Sequence, residues 1–196
     1  MNGLFIGITA LDLPTLFSGA KRRIILHAGV YGAFASPRHA EALRKALSHA
    51  GFLGLDVVEL PPENTTPWRD SFLRCLRFDV SPRQAEEEVA ASHAFLLSLA
   101  RDYPDRVRVH PARMPPSLPL VIIDDAIIFG HYAHCAEHAP EGFWCKVDSD
   151  VERLLRWADA GRPPESATPE ETAAFRLVCE CTRAMGPNWT SEAPCT

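Results

Sequence analysis

Between Ser117 and Ala133 the chain reads Ser-Leu-Pro-Leu-Val-Ile-Ile-Asp-Asp-Ala-Ile-Ile-Phe-Gly-His-Tyr-Ala, two short apolar runs separated by an acidic pair. Runs of this length, rich in Ile and bounded by turn formers, have strand character. With only Asp124 and Asp125 between them, they are expected to pair as a tight antiparallel hairpin. Gly130 stands where the chain leaves the second strand. The pattern constrains fold class more sharply than function.

The rest of the chain supplies more strands and well-marked helices. Apolar runs with strand character cover 23–30, 55–60, 107–110, 118–123, 126–130 and 143–147. Ser36-Pro37 opens a helix that Gly51 stops. Thr66-Pro67 opens a second, carrying Trp68, Phe72, Cys75 and Leu76. Ser81-Pro-Arg-Gln84 is a capping box for a longer helix to about Arg101. Ser149-Asp-Val-Glu152 and Thr168-Pro-Glu-Glu171 start two more, the last running to about Met185. The first two strands flank a helix, and a strand-helix-strand unit pairs its strands in parallel. The expected fold is α/β, a mixed, mostly parallel sheet flanked by helices. Residues 1–161 form the domain, and 162–196 are a Pro-rich linker, C-terminal helix and tail packed on it.

The net charge of -5 argues against broad binding of nucleic acid or anionic membrane, which needs clustered Lys and Arg. Lys21-Arg22-Arg23 is a short basic run read as a solvated sheet edge, and Glu86-Glu87-Glu88 reads as a solvated helix face. No stretch approaches the roughly 20 apolar residues that span a bilayer. The N-terminus lacks a signal-peptide pattern, and the six scattered Cys form no Cys-x-x-Cys pair, so a cytoplasmic protein with reduced thiols is expected.

The layout from Leu11 to Gly161 resembles a single phospholipase D-like domain. That family carries His-x-Lys-x4-Asp on a strand pair, then six residues to a Gly, with an Asn shortly after. Laid on this chain, the Asp falls on Asp124 and the Gly on Gly130, with the six-residue step kept. Ser117 stands where the nucleophilic His would be, Pro119 replaces the Lys, and Ala133 the Asn. The family's His forms a phosphohistidine, while Lys and Asn stabilise charge in the transition state. The resemblance thus implies the phospholipase D-like fold and argues against the family's catalysis. Family enzymes build one active site from two facing domains, so it also implies a homodimer.

Two further constellations carry chemistry. His131-Tyr-Ala-His134-Cys135-Ala-Glu-His138 holds three His and a Cys within eight residues, and zinc favours such donors. The alternative is a loop or short helix of exposed polar His, ended by Pro140. Ligands in open α/β sheets bind beyond the carboxyl ends of parallel strands, so His27, Tyr31, His110, Ser117, Asp124 and His131 are the candidate ligand-binding residues. Glu59 either faces the same pocket or caps the sheet edge, and His27 taken alone reads first as a satisfied core residue hydrogen-bonded to a neighbour.

Three functions follow from this reading. The first is a non-catalytic phospholipase D-like domain acting as a small-ligand sensor or regulatory interaction module, as a homodimer or with a regulatory protein partner. The second is a metal-dependent hydrolase using His131, His134, Cys135 and His138 around zinc. The third is a structural or inhibitory partner protein. The missing catalytic groups lean against an enzyme, and no cofactor other than zinc is expected.

Overall fold

In a computed structural model, which describes residues 2–63, 66–131, 139–187 and 189–191, the strands are β1 (Gly3–Ile6), β2 (Arg23–Gly29), β3 (Gly54–Glu59), β4 (Val107–Pro111), β5 (Leu120–Ile123), β6 (Ala126–Gly130) and β7 (Phe143–Asp148). The helices among those residues are α1 (Leu13–Gly19), α2 (Pro37–Leu47), α3 (Arg69–Leu76), α4 (Pro82–Asp102), α5 (Val151–Asp159) and α6 (Pro169–Met185). The strands join in one seven-stranded sheet, ordered β1-β7-β6-β5-β2-β3-β4.

The helical crossovers decide which pairs are parallel. Chain passing through α2 returns β3 beside β2, and chain passing through α3 and α4 returns β4 beside β3, so both pairs are parallel. The remaining four pairings are antiparallel. Five strands nevertheless run in one direction, with β5 and β7 reversed, so the sheet is mixed as expected. Its parallel neighbours are confined to β2, β3 and β4.

Strand alternation sends side chains into two separate cores. Ile24, Leu26, Leu55, Val57, Val121, Ile128 and Trp144 face Phe17 of α1, Leu43 and Leu47 of α2, and Leu96 and Leu99 of α4. Ile25, Val58, Leu120, Ile122 and Ile127 face Leu154 and Leu155 of α5 and Phe175, Val178 and Cys181 of α6. Each buried large apolar side chain contributes roughly 1.5–3 kcal/mol. The apolar stripe of α6, Ala174, Phe175, Val178, Cys181 and Met185, recurs at three- and four-residue steps and makes this helix part of the second layer.

Local signals place most helix starts. The capping boxes at Ser81 and Thr168 are both made through Gln84 and Glu171. At α5 the cap is Asp150, not Ser149, because the Asp150 carboxylate accepts from the Arg153 amide. The helix announced by Thr66-Pro67 begins only at Arg69. β1 was not foreseen as a strand. Four residues carry too little alternation to show one, and pairing with β7 creates it.

Two charge runs read as solvated turn out to be structural. Arg23 is buried, donating through Nε at 2.7 Å and Nη2 at 3.2 Å to the Glu152 carboxylate, and through Nη2 to the Ser191 carbonyl. Glu86 accepts two 2.6 Å bonds from the buried guanidinium of Arg69, and Glu88 accepts from Arg77, so the acidic run joins α4 to α3. Burial would cost such charges dearly unless paired, and the partners come from distant segments.

Candidate ligand cavity

The β5-β6 hairpin has two ends with different jobs. At the turn, Asp124 adopts a left-handed backbone (φ 50°) and aims its carboxylate at the start of β2. It accepts from the amides of Lys21 (2.8 Å), Arg22 (2.8 Å) and Arg23 (3.1 Å). A carboxylate tolerates this role because it carries four lone-pair sites and no competing donor. Asp125 beside it pairs with Arg22 at 2.6 Å on the exposed side. The basic run therefore supplies the backbone donors that hold the hairpin to the first strand.

At the other end, on the α1-α2-α4 side of the sheet, lies a cavity of about 360 Å³. Leu13, Tyr31, Phe34, Pro119, Val121 and Trp144 form much of its wall. Tyr31 is buried, and its hydroxyl accepts from the amides of Ala28 (2.7 Å) and Gly29 (3.2 Å) while donating to the Val58 carbonyl. Burial and Glu59 nearby push this phenol well above its ordinary range, so it stays protonated. Gly29 makes the arrangement possible: its φ is +83°, and a Cβ there would sit 3.1 Å from Phe72.

The charged lining residues Asp12, Arg38 and Glu141 are exposed and so stand at the mouth, with His39 and Arg77 half-buried beside them. Arg38 donates to Asp12 at 2.8 Å, and Arg77 to Glu88. His39 stacks on Phe34 with ring centroids 5.5 Å apart and shares a 2.9 Å hydrogen bond with the Ser36 hydroxyl. Partial burial, helped by Arg38, holds its imidazole below the usual range.

The expected pocket of His27, Tyr31, His110, Ser117, Asp124 and His131 does not assemble. Of the six, Tyr31 lines the cavity. Asp124 lies at the far end of β5, and His131 is exposed and stacked on Phe143. The alternation of β2 and β3 turns His27 and Asp56 to the α6 side, where His110 joins them. Ser117 also turns that way, donating its hydroxyl proton to Glu180 of α6 at 2.6 Å. Glu59 neither faces the cavity nor stands free. It is buried and bonded to His93 of α4 at 3.0 Å, and burial raises its carboxyl.

Behind α6, a buried aspartate collects three donors that sequence reasoning missed. Asp56 is fully buried and accepts from Arg108 (2.7 Å), His110 Nε2 (2.9 Å) and the Trp189 indole (3.1 Å). Burial opposes its charge, but the bonds from His110 and the charge of Arg108 win and hold its carboxyl below the usual range. An Asp inside the apolar run 55–60 was the available signal.

His27 is buried, and its Nδ1 has no hydrogen-bond partner among the described residues, so it is not the satisfied core histidine expected from sequence. Burial lowers its imidazole to about 4, against an upward pull from Glu180. An unfolded chain takes up a proton near pH 6.5 that the folded one refuses, so this group's contribution is fully present above about pH 6.5 and declines toward pH 4. The loss over that window should be about 3 kcal/mol. Urea midpoints at pH 7.5 and 4.5 check this by comparing the parent chain with His27→Leu, which should lose far less stability on acidification. Parallel losses in the two proteins would remove His27 as the source.

Of the zinc set, His134, Cys135 and His138 lie outside the described residues. Among the described residues no group of His, Cys, Asp and Glu could hold a metal. No helix among them is long and apolar enough to cross a membrane.

Several solved structures are similar to this chain, three of them as follows. The archaeal chromatin protein TrmBL2, whose structure shows a novel mode of DNA binding, is 13% identical with a TM-score of 0.44 over 82% of this chain and 50% of its own. NucT from Helicobacter pylori is 13% identical with a TM-score of 0.45, over 92% of this chain and 96% of its own. Phosphatidylserine synthase from Haemophilus influenzae is 8% identical with a TM-score of 0.43, over 91% of this chain and 43% of its own. This chain thus spans half or less of two of these proteins and nearly all of the third. With every score below 0.5, the fold rests on the strand pairings of this chain itself. No protein-family model and no curated protein matches the sequence.

Proposed function

We propose that this chain is a non-catalytic phospholipase D-like domain that holds a small ligand in the apolar cavity and acts as a sensor or regulatory interaction module. The observation that carries this reading is the fate of the two positions that would do chemistry. Ser117, at the nucleophile position, bonds to Glu180 on the other side of the sheet. Pro119, at the charge-stabilising position, contributes an apolar ring to the cavity wall and has no donor to offer. Asp124 and Gly130 keep the frame: one ties the hairpin to β2, and the other lies under Trp144. A cavity of this volume with apolar walls and a polar mouth is the usual form of a small-molecule site.

The reading includes a homodimer. β1 is an edge strand, and Leu4 (72% exposed), Ile6 (89%) and Phe143 (49%) present a contiguous apolar strip there, which pairing with a second copy would cover. DNA binding belongs to TrmBL2. In this chain Arg22 and Arg23, the core of the basic run, are paired with Asp125 and Glu152, which leaves that run little positive charge for phosphates.

Purified protein is expected to sediment as a dimer at micromolar concentration. It should leave bis(p-nitrophenyl) phosphate and a short oligonucleotide uncut, with or without added zinc. Turnover abolished by Ser117→Ala, or zinc-dependent turnover lost in His134→Ala, would replace this reading with a hydrolase. A monomer at all concentrations would remove the dimer.

A further inference from the structure

We infer that the cavity selects an uncharged, largely apolar ligand, such as a bicyclic aromatic or a medium-length alkyl compound, and rejects anionic ones. The inference rests on the cavity being the ligand site and adds the chemistry that site accepts.

The argument starts from which polar groups the wall can offer. The inner wall is made of Leu13, Phe34, Pro119, Val121 and Trp144, none of which has a charged or carboxamide group. Among the described lining residues the one buried hydroxyl belongs to Tyr31, and it is already committed. It accepts two amide hydrogens and donates its own proton to a carbonyl. A hydroxyl has one donor and two acceptor positions, so nothing is left for a ligand. The Trp144 indole N–H is a single neutral donor, so a carboxylate or phosphate pushed into this space would lose its hydration with no cationic group in the inner wall to replace it, at a cost that weakens binding steeply.

Among the described residues the mouth does not supply the missing cation. Arg38 is held by Asp12 and Arg77 by Glu88, and Glu141 adds a further negative charge beside them. Two guanidiniums already matched by carboxylates give an incoming anion little net attraction, and the exposed pair is screened by salt. An apolar body gains instead, because it displaces water from walls that are mostly aliphatic carbon and aromatic face. The shape favours the same class. Trp144 and Phe34 provide flat faces, and the aliphatic residues between them match a ring system or a folded chain.

Calorimetry at pH 8 with 1-decanol, naphthalene and decanoate, each below its solubility limit, tests the proposal on the whole chain. Decanol and decanoate share one alkyl chain and differ in charge. Decanol and naphthalene should bind, and decanoate about tenfold or more weakly than decanol. Val121→Trp fills the interior, and Ala33→Trp narrows the exposed rim without touching the core. Either should weaken decanol at least about tenfold while the circular dichroism spectrum is kept. Decanoate binding as tightly as decanol, with both lost in the filled variants, would overturn the ligand class and leave the cavity as the site. Failure of all three probes to bind, or decanol binding unchanged in both variants, would overturn the site itself and the inference with it.

Discussion

Gly130→Val is expected to destabilise the chain by about 3 kcal/mol and to abolish ligand binding in the cavity. A Cβ at this position would lie 2.8 Å from Cδ2 and 3.0 Å from Cε2 and Cε3 of the Trp144 indole. Contacts this short require one partner to move. The indole is only 3% exposed and packed in the core between the sheet and α1, so the open side left to it is the cavity. The backbone here is not left-handed, so the whole effect is steric. Because Trp144 also forms the cavity wall, displacing it closes or distorts the site. The urea midpoint and decanol titration read both effects. Shrinking the ring in Gly130→Ala/Trp144→Leu should recover part of the stability but not the aromatic wall. A loss below about 0.5 kcal/mol in Gly130→Val would show that the strand yields instead of the ring.

Replacing Asp124 by Ala should cost a similar amount, about 3 kcal/mol, for a different reason. Three amides lose a charged acceptor at once, and bonds to charged groups are the stronger ones. Water can reach the Lys21 amide, which lowers the sum, whereas Arg23 is buried. Ala would also occupy the left-handed backbone at φ 50°, adding roughly 1 kcal/mol that Asn avoids. Asp124→Asn is therefore expected to fall between the parent and Ala. Asp125→Ser should change stability by less than about 0.5 kcal/mol, because it breaks only an exposed ion pair with Arg22. Thermal denaturation of the three variants gives the ranking. Equal small losses in all three variants would mean that the turn is an ordinary surface feature, and the phospholipase D-like reading would lose its main support.

The elements that could be read from the chain are those whose causes lie within a few residues. The hairpin at 120–130 shows because two apolar runs and an acidic pair are contiguous, and α4 and α6 show because Ser81-Gln84 and Thr168-Glu171 cap their own first turns. The parallel trio β2, β3 and β4 follows from helices lying between strands. β1 could not be read, since its partner β7 lies about 140 positions away and supplies the pairing.

The site divides along the same line. Asp124 was singled out by its place in the turn, and its carboxylate is indeed taken up by backbone amides, but those amides come from residues 101 to 103 positions earlier. Arg23 looked like surface charge because Glu152, which neutralises it, is 129 positions away. The cavity was invisible for the same reason. Tyr31, Phe34, Pro119, Val121 and Trp144 are ordinary core residues in their own segments, and only the order β7-β6-β5-β2 brings their side chains to one end of one face. Strand alternation then decides which of the expected residues can join them. It leaves Tyr31 in the wall and carries His27 to the opposite side of the sheet, a choice made by register and therefore by tertiary structure alone.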